Sequence, residues 1–259
     1  MTATLSAVPD PGVGDLLREW RQRRHLSQLD LANRADVSTR HLSYVETGRS
    51  QPTSAMILRL CHHLDVPLRE QNRVLLAGGF APAHPEHALT DPPMAEANAA
   101  IEAILQAHLP YPALVIDRHW ELVAANDAAF ALLDGIPAEL LEPPINVIRL
   151  SVHPEGLGAR IVNLDEWRAA LASRLRQEHH ATGDPFLGAL ATEVAGDLDL
   201  VPASALLVVP LQLRAGDQVL SLISTTTVFG TPREVTLSEL AIEAFYPADD
   251  ATRSVLHGT

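Results

Sequence analysis

Apolar residues recur every three or four positions through the first third of the chain, a spacing typical of helices with one buried face. Five short segments follow this pattern, and glycine, proline or polar residues separate them. The predicted helices span residues 14–24, 27–35, 39–47, 53–64 and 67–77. Because the connections are short, these segments should form one compact all-helical domain.

The second and third helices begin with the same local signal. Each has a serine suited to the N-cap position, and apolar residues on both sides of that serine form a hydrophobic staple. Asp30 also completes a short capping box with Ser27, and Gly48 ends the third helix. The staple residues are Leu26 with Leu31 and Val37 with Leu42. Two stapled helices joined by a tight turn predict a helix-turn-helix of the DNA-binding type.

The third helix is predicted to present a polar outer face. At about 100° per residue, Leu42 pointing to the core places Arg40, Ser43 and Tyr44 on the opposite side, with Thr39 on the flank. Arginine can contact guanine through two hydrogen bonds in the major groove, and hydroxyl groups accept or donate. An ordinary solvated helix face is the alternative interpretation.

The rest of the chain mixes helices with segments rich in β-branched and aliphatic residues. Helices are predicted at 94–109, 127–133, 164–178 and 184–194, with one helical turn at 146–150. Strands are predicted at 113–117, 121–125, 206–214, 218–229 and 240–245, the third and fourth as a hairpin. This order predicts an α+β domain with helices packed over one antiparallel sheet.

Composition divides the chain into regions with different roles. We expect a disordered N-terminus at 1–12, a helical domain at 13–80, a connector with four prolines at 81–93, an α+β domain at 94–250 and a tail at 251–259. The net charge is −13, which argues against nucleic-acid binding by the whole surface. Residues 12–80 nevertheless carry ten arginines against seven acids, so the helical domain is the basic part.

Composition also limits the chemistry that the chain can perform. With a single cysteine, Cys61, an intrachain disulfide is impossible, and helical spacing predicts a core position for its thiol. His62, His63, His84 and His87 lie close in sequence but lack metal-ligand spacing, which favours solvated loop residues. Standard catalytic motifs are lacking, so we expect no enzyme, cofactor or metal. Without a predicted membrane span or signal peptide, a cytoplasmic protein is expected.

The segment LSQLDLANRADVSTRHLSYVETGRSQP resembles the repressor-type (XRE) helix-turn-helix family. That resemblance implies that Gln28 contacts phosphate and that Arg49 forms a phosphate clamp. It also implies base or nearby backbone contacts for a second group of residues. They are Ser38, Thr39, Arg40, Ser43 and Tyr44. A partly buried ion pair between Arg21 and Glu46 is implied in the same way.

The second half is similar to the ligand-binding region of MmyB-like transcription regulators, which adopt a PAS-like fold. The segments that carry this resemblance are LLAGGFAP, LPYPALVIDRHWELVAANDAA, the Asn146–Arg149 pair, DEW at 165–167 and VFGTPREVTLSELAIEAFYPAD. The resemblance implies a small, fatty-acid-like effector and ligand contacts from Asn126, Arg149 and Trp167. Each has a structural alternative: Asn126 as a helix cap, Trp167 as a core residue and Arg149 paired with an acid of the sheet.

Together these observations predict a dimeric transcription regulator that binds a pseudo-palindromic operator in double-stranded DNA and a small apolar effector. The main alternative keeps DNA binding but makes the second domain a ligand-free platform for dimerisation or protein interaction. An enzyme fused to a regulatory DNA-binding domain is the third hypothesis. A narrow apolar cavity in the second domain would favour the effector hypothesis, whereas a filled core with a large exposed apolar patch would favour the platform.

Overall fold

The computed structural model describes residues 11–197 and 208–258, and it divides into two compact units. The first unit ends at Glu86 and includes Arg233–Val235, and the second begins at His87. The predictions made for residues 1–10, for the start of the strand at 206–214 and for Thr259 lie outside the described residues.

Five helices form the first unit, as the apolar spacing predicted. They are α1 (Val13–Arg23), α2 (Gln28–Arg34), α3 (Thr39–Glu46), α4 (Ser54–His63) and α5 (Leu68–Ala77). Their apolar faces meet in one core, in which Leu17, Leu31 and Leu42 are fully buried. Burial of this apolar surface supplies the main stabilisation, since isolated helices of this length are marginal in water.

The start signals of α2 and α3 act as the sequence predicted. The Ser27 hydroxyl accepts from the Asp30 backbone N–H at 3.1 Å, and the Asp30 carboxylate accepts from the Ser27 N–H at 3.0 Å. The Ser38 hydroxyl likewise accepts from the His41 N–H at 3.1 Å. These bonds satisfy backbone donors that would otherwise have no partner at the first turn.

Gly14 allows the start of α1 to approach the end of α3 closely. A Cβ atom at this position would lie 2.3 Å from the Val45 carbonyl oxygen and 3.1 Å from Glu46 backbone atoms. Only a residue without a side chain fits there, because the obstructing atoms belong to the backbone. This contact fixes α1 against the helix that carries the outward polar face.

The second unit contains an antiparallel five-stranded sheet with helices, which confirms the predicted α+β domain. Its strands are β1 (Ala113–Ile116), β2 (Leu122–Ala125), β3 (Leu211–Ala215), β4 (Gln218–Val228) and β5 (Ala241–Pro247), in the spatial order β2-β1-β5-β4-β3. Its helices are α6 (Ala95–Ala107), α7 (Asp127–Ala131), α8 (Val147–Val152), α9 (Leu164–Thr182), α10 (Pro185–Ala195), α11 (Val235–Ser238, of which Val235 is assigned to the first unit) and α12 (Asp250–Leu256). Single 3₁₀ turns occur at Pro92–Met94, Ala138–Leu141 and Gly158–Arg160.

Successive side chains along each strand point to opposite faces of the sheet, and an apolar layer lies on each face. On one face, Val115 and Ile242 pack with Ile101 and Leu105 of α6. On the other face, strand residues such as Leu213 and Leu222 pack with Leu171 and Leu175 of α9 and with residues of α10. The second face also encloses the cavity described below.

Helix α12 lies in the segment that the sequence analysis treated as a tail. Asp249 caps it by accepting from the Thr252 N–H at 2.7 Å. Thr252 is 1% exposed. Its hydroxyl oxygen accepts from the Ser221 N–H of β4 at 2.9 Å. That hydrogen bond fixes the helix to the sheet. Within the described ranges, no helix combines the length and apolar character that a membrane span requires.

Candidate functional site

Helix α3 presents the outward polar face that the sequence predicted. Leu42 and Val45 are fully buried, whereas Arg40 is exposed and Ser43 and Tyr44 are half-buried. Ser38, at the N-cap, is exposed and Thr39 is half-buried. The described positions therefore allow contact with a partner along one side of the helix.

Two arginines contact the ring of Tyr44. Arg40 Nε donates to the Tyr44 hydroxyl oxygen at 3.0 Å, and the guanidinium carbon of Arg40 lies 5.4 Å from the ring centroid. The guanidinium carbon of Arg49 lies 6.0 Å from the same centroid. Such cation–π contacts hold flexible side chains without neutralising them. Arg40 and Arg49 thus form a positive patch around Tyr44.

The end of α3 places Arg49 in this position. Gly48 adopts a φ of 70°, which most residues avoid, and the chain then turns back. The Arg49 and Ser50 N–H groups both donate to the Tyr44 carbonyl oxygen, at 2.8 and 3.1 Å. This turn brings Arg49 beside the same tyrosine that Arg40 contacts.

The Glu46 carboxylate joins the first three helices, which confirms the predicted ion pair with Arg21. Arg21 Nε donates to Oε1 at 2.7 Å and Arg21 Nη2 to Oε2 at 2.8 Å. Arg21 Nη1 also donates to the Leu26 carbonyl oxygen at 2.7 Å. The Glu46 side chain is 1% exposed and that of Arg21 is 10% exposed. Hydrogen bonding to Glu46 outweighs the opposing effect of burial and raises the pKa of Arg21.

Gln28 completes this Glu46 network, which we define as Arg21, Gln28 and Glu46. Its Nε2 donates to Glu46 Oε2 at 2.8 Å. An amide nitrogen carries two hydrogens, so one remains for a further acceptor. The network therefore fixes the side chain for which the sequence predicted a phosphate contact.

A cavity of about 100 Å³ lies within the second unit, between the sheet and α7, α8 and α9. Its walls are mainly aliphatic and aromatic, and Phe130 on α7 is 49% exposed. Representative wall residues are Leu114, Trp120, Leu150, Trp167, Leu171 and Phe245. An apolar cavity with few polar groups is the usual form of a small-molecule site.

Of the three predicted ligand contacts, Trp167 is among the residues that line the cavity, whereas Asn126 and Arg149 are not. Asn126 caps α7, as the structural alternative predicted, by accepting from the Ala129 N–H at 3.0 Å. It also accepts from the Ala113 N–H at 3.1 Å and donates to the carbonyl oxygens of Leu105 and Tyr111. With its amide used in this way, Asn126 joins β1 to α6 and α7.

Arg149 forms an ion pair on the surface. Its Nη2 and Nε donate to the Glu193 carboxylate on α10 at 2.8 and 2.9 Å, and these bonds raise the pKa of Arg149. The acid is thus on a helix, not on the sheet as the alternative predicted. The arginine that pairs with an acid of the sheet is Arg174 of α9, whose Nη2 lies 2.6 Å from Glu243 Oε1 of β5.

The sequence analysis missed Arg174 and Glu243, both of which line the cavity. A signal was present, because Arg174 follows Trp167 by seven residues and therefore lies on the apolar face of α9. A charged residue on a buried face needs a partner of opposite charge, but the spacing does not indicate which acid supplies it.

Cys61 is fully buried in the first core, as predicted, and burial raises the pKa of its thiol to about 12. The predicted solvated loop position is wrong for His62 and His63, which lie at the end of α4, although His62 is exposed. His84 does lie in the connector, where it is half-buried and hydrogen-bonds to Gln71 through its ring at 2.9 Å. Among the described residues, no three histidine, cysteine or acidic side chains could together hold a metal ion.

Fold and site together define a class: a helix-turn-helix protein joined to an α+β domain with an internal apolar cavity. Residues 13–74 match the helix-turn-helix domain family, and residues 97–257 match the family described as the MmyB-like transcription regulator ligand binding domain. The second match covers more than half of the chain. The chain therefore belongs to the MmyB-like transcription regulators.

Individual relatives carry related descriptions. An uncharacterized HTH-type transcriptional regulator of Mycobacterium tuberculosis is 29% identical over 164 residues, which are 61% of this chain and 60% of the relative. A Mycobacterium bovis protein of the same description has the same identity and coverage. The transcriptional regulator ClgR of Mycobacterium tuberculosis is 32% identical over 96 residues, 37% of this chain and 83% of the relative. The chain thus covers 60% of the length of the first two relatives.

Proposed function

We propose that the protein is a transcription regulator that binds double-stranded DNA through α3 and a small apolar effector through its second domain. The observation that carries the proposal is the positive patch of Arg40 and Arg49 on Tyr44, presented by a helix that the buried Glu46 network holds in place. The family membership and the descriptions of the relatives support the same function.

In this proposal α3 enters the major groove. Arg40, Ser43 and Tyr44 contact base edges, and Ser38 and Thr39 contact bases or the nearby backbone. Two residues hold the phosphates on either side. They are Gln28, through the amide hydrogen that Glu46 leaves, and Arg49, beyond the end of the helix.

The second domain is proposed to be PAS-like and to sense a small molecule whose body is apolar, as a fatty-acid-like effector would have. The cavity and its lining by Trp167 support this proposal over the ligand-free platform. We propose structural roles for Asn126 and Arg149. The Asn126 amide hydrogen-bonds to backbone groups, and the Arg149 guanidinium pairs with Glu193. We further propose that the regulator is a homodimer, acts in the cytoplasm and is not an enzyme.

Selection of bound sequences from randomised duplex DNA by the full chain tests the proposal. We expect enrichment of one sequence with two related half-sites. Small apolar molecules should then change the affinity for that sequence. Arg18→Ala is a control variant that should select the same sequence. Arg18 is exposed on α1, and its side chain makes no recorded hydrogen bond or ion pair with other described residues. Failure to enrich any sequence would contradict DNA binding. If no small apolar molecule changes the affinity for DNA, the proposed sensor role of the second domain is wrong.

A further inference from the structure

The charged residues of the cavity wall form one pair, and a second acid outside the wall joins it. Among the described residues that line the cavity, Arg174 and Glu243 are the charged ones. Arg174 Nη2 and Nη1 donate to the two Glu243 oxygens at 2.6 and 3.1 Å. Arg174 Nε donates to Glu178 at 3.0 Å. One guanidinium thus serves two carboxylates, and the group has a net charge of −1.

Nearly all the hydrogen-bond donors of Arg174 already have acceptors. Its Nη2 donates to both Glu243 and Thr226, so four of the five guanidinium N–H groups have acceptors. The guanidinium carbon lies 4.3 Å from the Trp120 ring centroid, which covers one side of the cation. Burial of Arg174 opposes its charge, but the hydrogen bonds and charges of Glu243 and Glu178 outweigh that effect and raise its pKa. This arginine is therefore committed to its two acids.

Other polar atoms on the wall are uncharged donors. Trp167 is 8% exposed, and its Nε1 is a buried donor without an acceptor among the described residues. Ser224 lines the cavity, and the structure records no hydrogen bond of its hydroxyl within the described ranges. The Ser151 hydroxyl, by contrast, donates to the Ile148 carbonyl oxygen at 2.8 Å. The lining residues therefore include two uncharged hydrogen-bond donors without recorded acceptors among the described residues.

From these contacts we infer that the cavity takes an apolar molecule with an uncharged oxygen-bearing head, a hydroxyl or an amide carbonyl, and disfavours a carboxylate. The inference deepens the proposed function and rests on it, because it names the head group of the proposed effector: an alcohol or amide with a fatty-acid-like apolar chain, not the free acid. A carboxylate would become the third anion around one guanidinium, and it would meet the buried Glu243 carboxylate without a free cation on the described wall to compensate it. A neutral head accepts from the same donors without that repulsion.

Cavity size limits the apolar body. A cavity of roughly 150 Å³ takes benzene, so the present volume of about 100 Å³ encloses only about four carbon atoms. A longer chain would pass between the partly exposed Phe130 and its neighbours on α7.

Binding of four six-carbon probes to the full chain tests this inference. The probes are 1-hexanol, hexanamide, hexanoate and hexylammonium, compared at pH 7.5 by calorimetry. We expect 1-hexanol and hexanamide to bind at least roughly tenfold more tightly than hexanoate, because only hexanoate adds a negative charge to the cavity. Hexylammonium should also bind more tightly than hexanoate, because the charged group has a net charge of −1.

Removing one acid should reduce the discrimination against hexanoate. Glu243→Gln and Glu178→Gln each make the charged group neutral, and the ratio of hexanoate Kd to 1-hexanol Kd should fall by several-fold in either variant. Glu193→Gln is the matched control, because Glu193 pairs with Arg149 outside the cavity and the ratio should not change. Should Glu243→Gln fail to fold, the more exposed Glu178 provides the same comparison.

The possible results separate this inference from the proposed function. Hexanoate binding as tightly as 1-hexanol in the unmodified protein would overturn the inference and leave the effector function intact. The inference is equally wrong if the ratio changes as much in Glu193→Gln as in the cavity variants. If none of the four probes binds, the effector function fails together with the inference.

Discussion

Residues with similar chemistry occupy very different environments in this protein. Arg21 and Arg40 both lie on helices of the first unit, yet Arg21 is buried against Glu46 and Arg40 is exposed beside Tyr44. A substitution at either position would reduce DNA binding under our proposal, for two separate reasons. Stability measurements distinguish the reasons, because only the buried arginine supports the fold.

Arg21→Ala should lower the free energy of unfolding of the first unit by about 3 kcal/mol, since it leaves the Glu46 carboxylate buried without its cation. For a domain of this size, the corresponding fall in melting temperature is roughly 12–24 °C. Differential scanning calorimetry measures both quantities. Arg18→Ala on the same helix should leave them unchanged within about 0.5 kcal/mol. An Arg21→Ala protein as stable as the parent would show that the ion pair contributes nothing to the fold.

Cys61 should not react with thiol reagents in the folded protein. Its thiol is fully buried with a pKa of about 12, so almost no thiolate is present at neutral pH. Labelling by a disulfide reagent should be slow in buffer and complete in denaturant, and the signal is unambiguous because the chain has one cysteine.

The same thiol makes stability depend on alkaline pH. The folded-state pKa is raised above the unfolded value of about 9, so the folded state retains a proton that the unfolded state loses. This contribution is complete below pH 9 and decreases as the pH rises toward 12. Rapid labelling of the native protein at neutral pH would contradict the buried position.

Local signals predicted most elements, because capping and apolar spacing act within a few residues. The N-caps at Ser27, Ser38 and Asn126 all form as the sequence indicated. Contacts between distant elements were harder to predict. Arg174 of α9 meets Glu243 of β5 across 69 positions, and no spacing in one segment specifies that pair. The docking of α12 on β4 was not predicted for the same reason, since it joins Thr252 to the distant Ser221.

Arg40 at the start of α3 and Arg49 beyond its end should make different contributions to DNA binding. Arg40→Ala should weaken binding to the selected sequence by about 1–3 kcal/mol and relax preference at one base pair, because a bidentate base contact is lost. Arg49→Ala should weaken binding to all sequences similarly and reduce the slope of log K against log salt by about 0.9, because one phosphate contact is lost.

Fluorescence anisotropy across a salt series measures both effects. The two variants control for each other, since both remove a cation that contacts the Tyr44 ring. An unchanged salt slope in Arg49→Ala, or unaltered base preference in Arg40→Ala, would contradict the corresponding role.

The protein as a whole combines a mildly basic helical unit with a strongly acidic remainder. Residues 12–80 contain three more arginines than acids, while the whole chain has a net charge of −13. The acidic part should repel DNA, so non-specific binding should be weak and orientation should depend on the helical unit. A single such unit contacts few base pairs, which favours action in pairs.

A homodimer should therefore protect two half-sites whose centres lie about 34 Å apart, one turn of the double helix. Footprinting on the selected sequence measures this spacing, and analytical ultracentrifugation of the complex gives the number of chains. Protection of one asymmetric half-site by a single chain would contradict the dimer.

The Glu46 network also affects how a genetic screen for regulatory mutants would be interpreted. Because Arg21, Gln28 and Glu46 share one carboxylate, mutations at positions 21 and 46 would produce the same loss of repression or activation as mutations at positions 40 and 49. Cellular abundance would separate the two groups, since proteases remove unfolded chains. Alleles with low abundance would identify residues that hold α3 in place. Alleles with normal abundance would identify the residues that we propose to contact the operator.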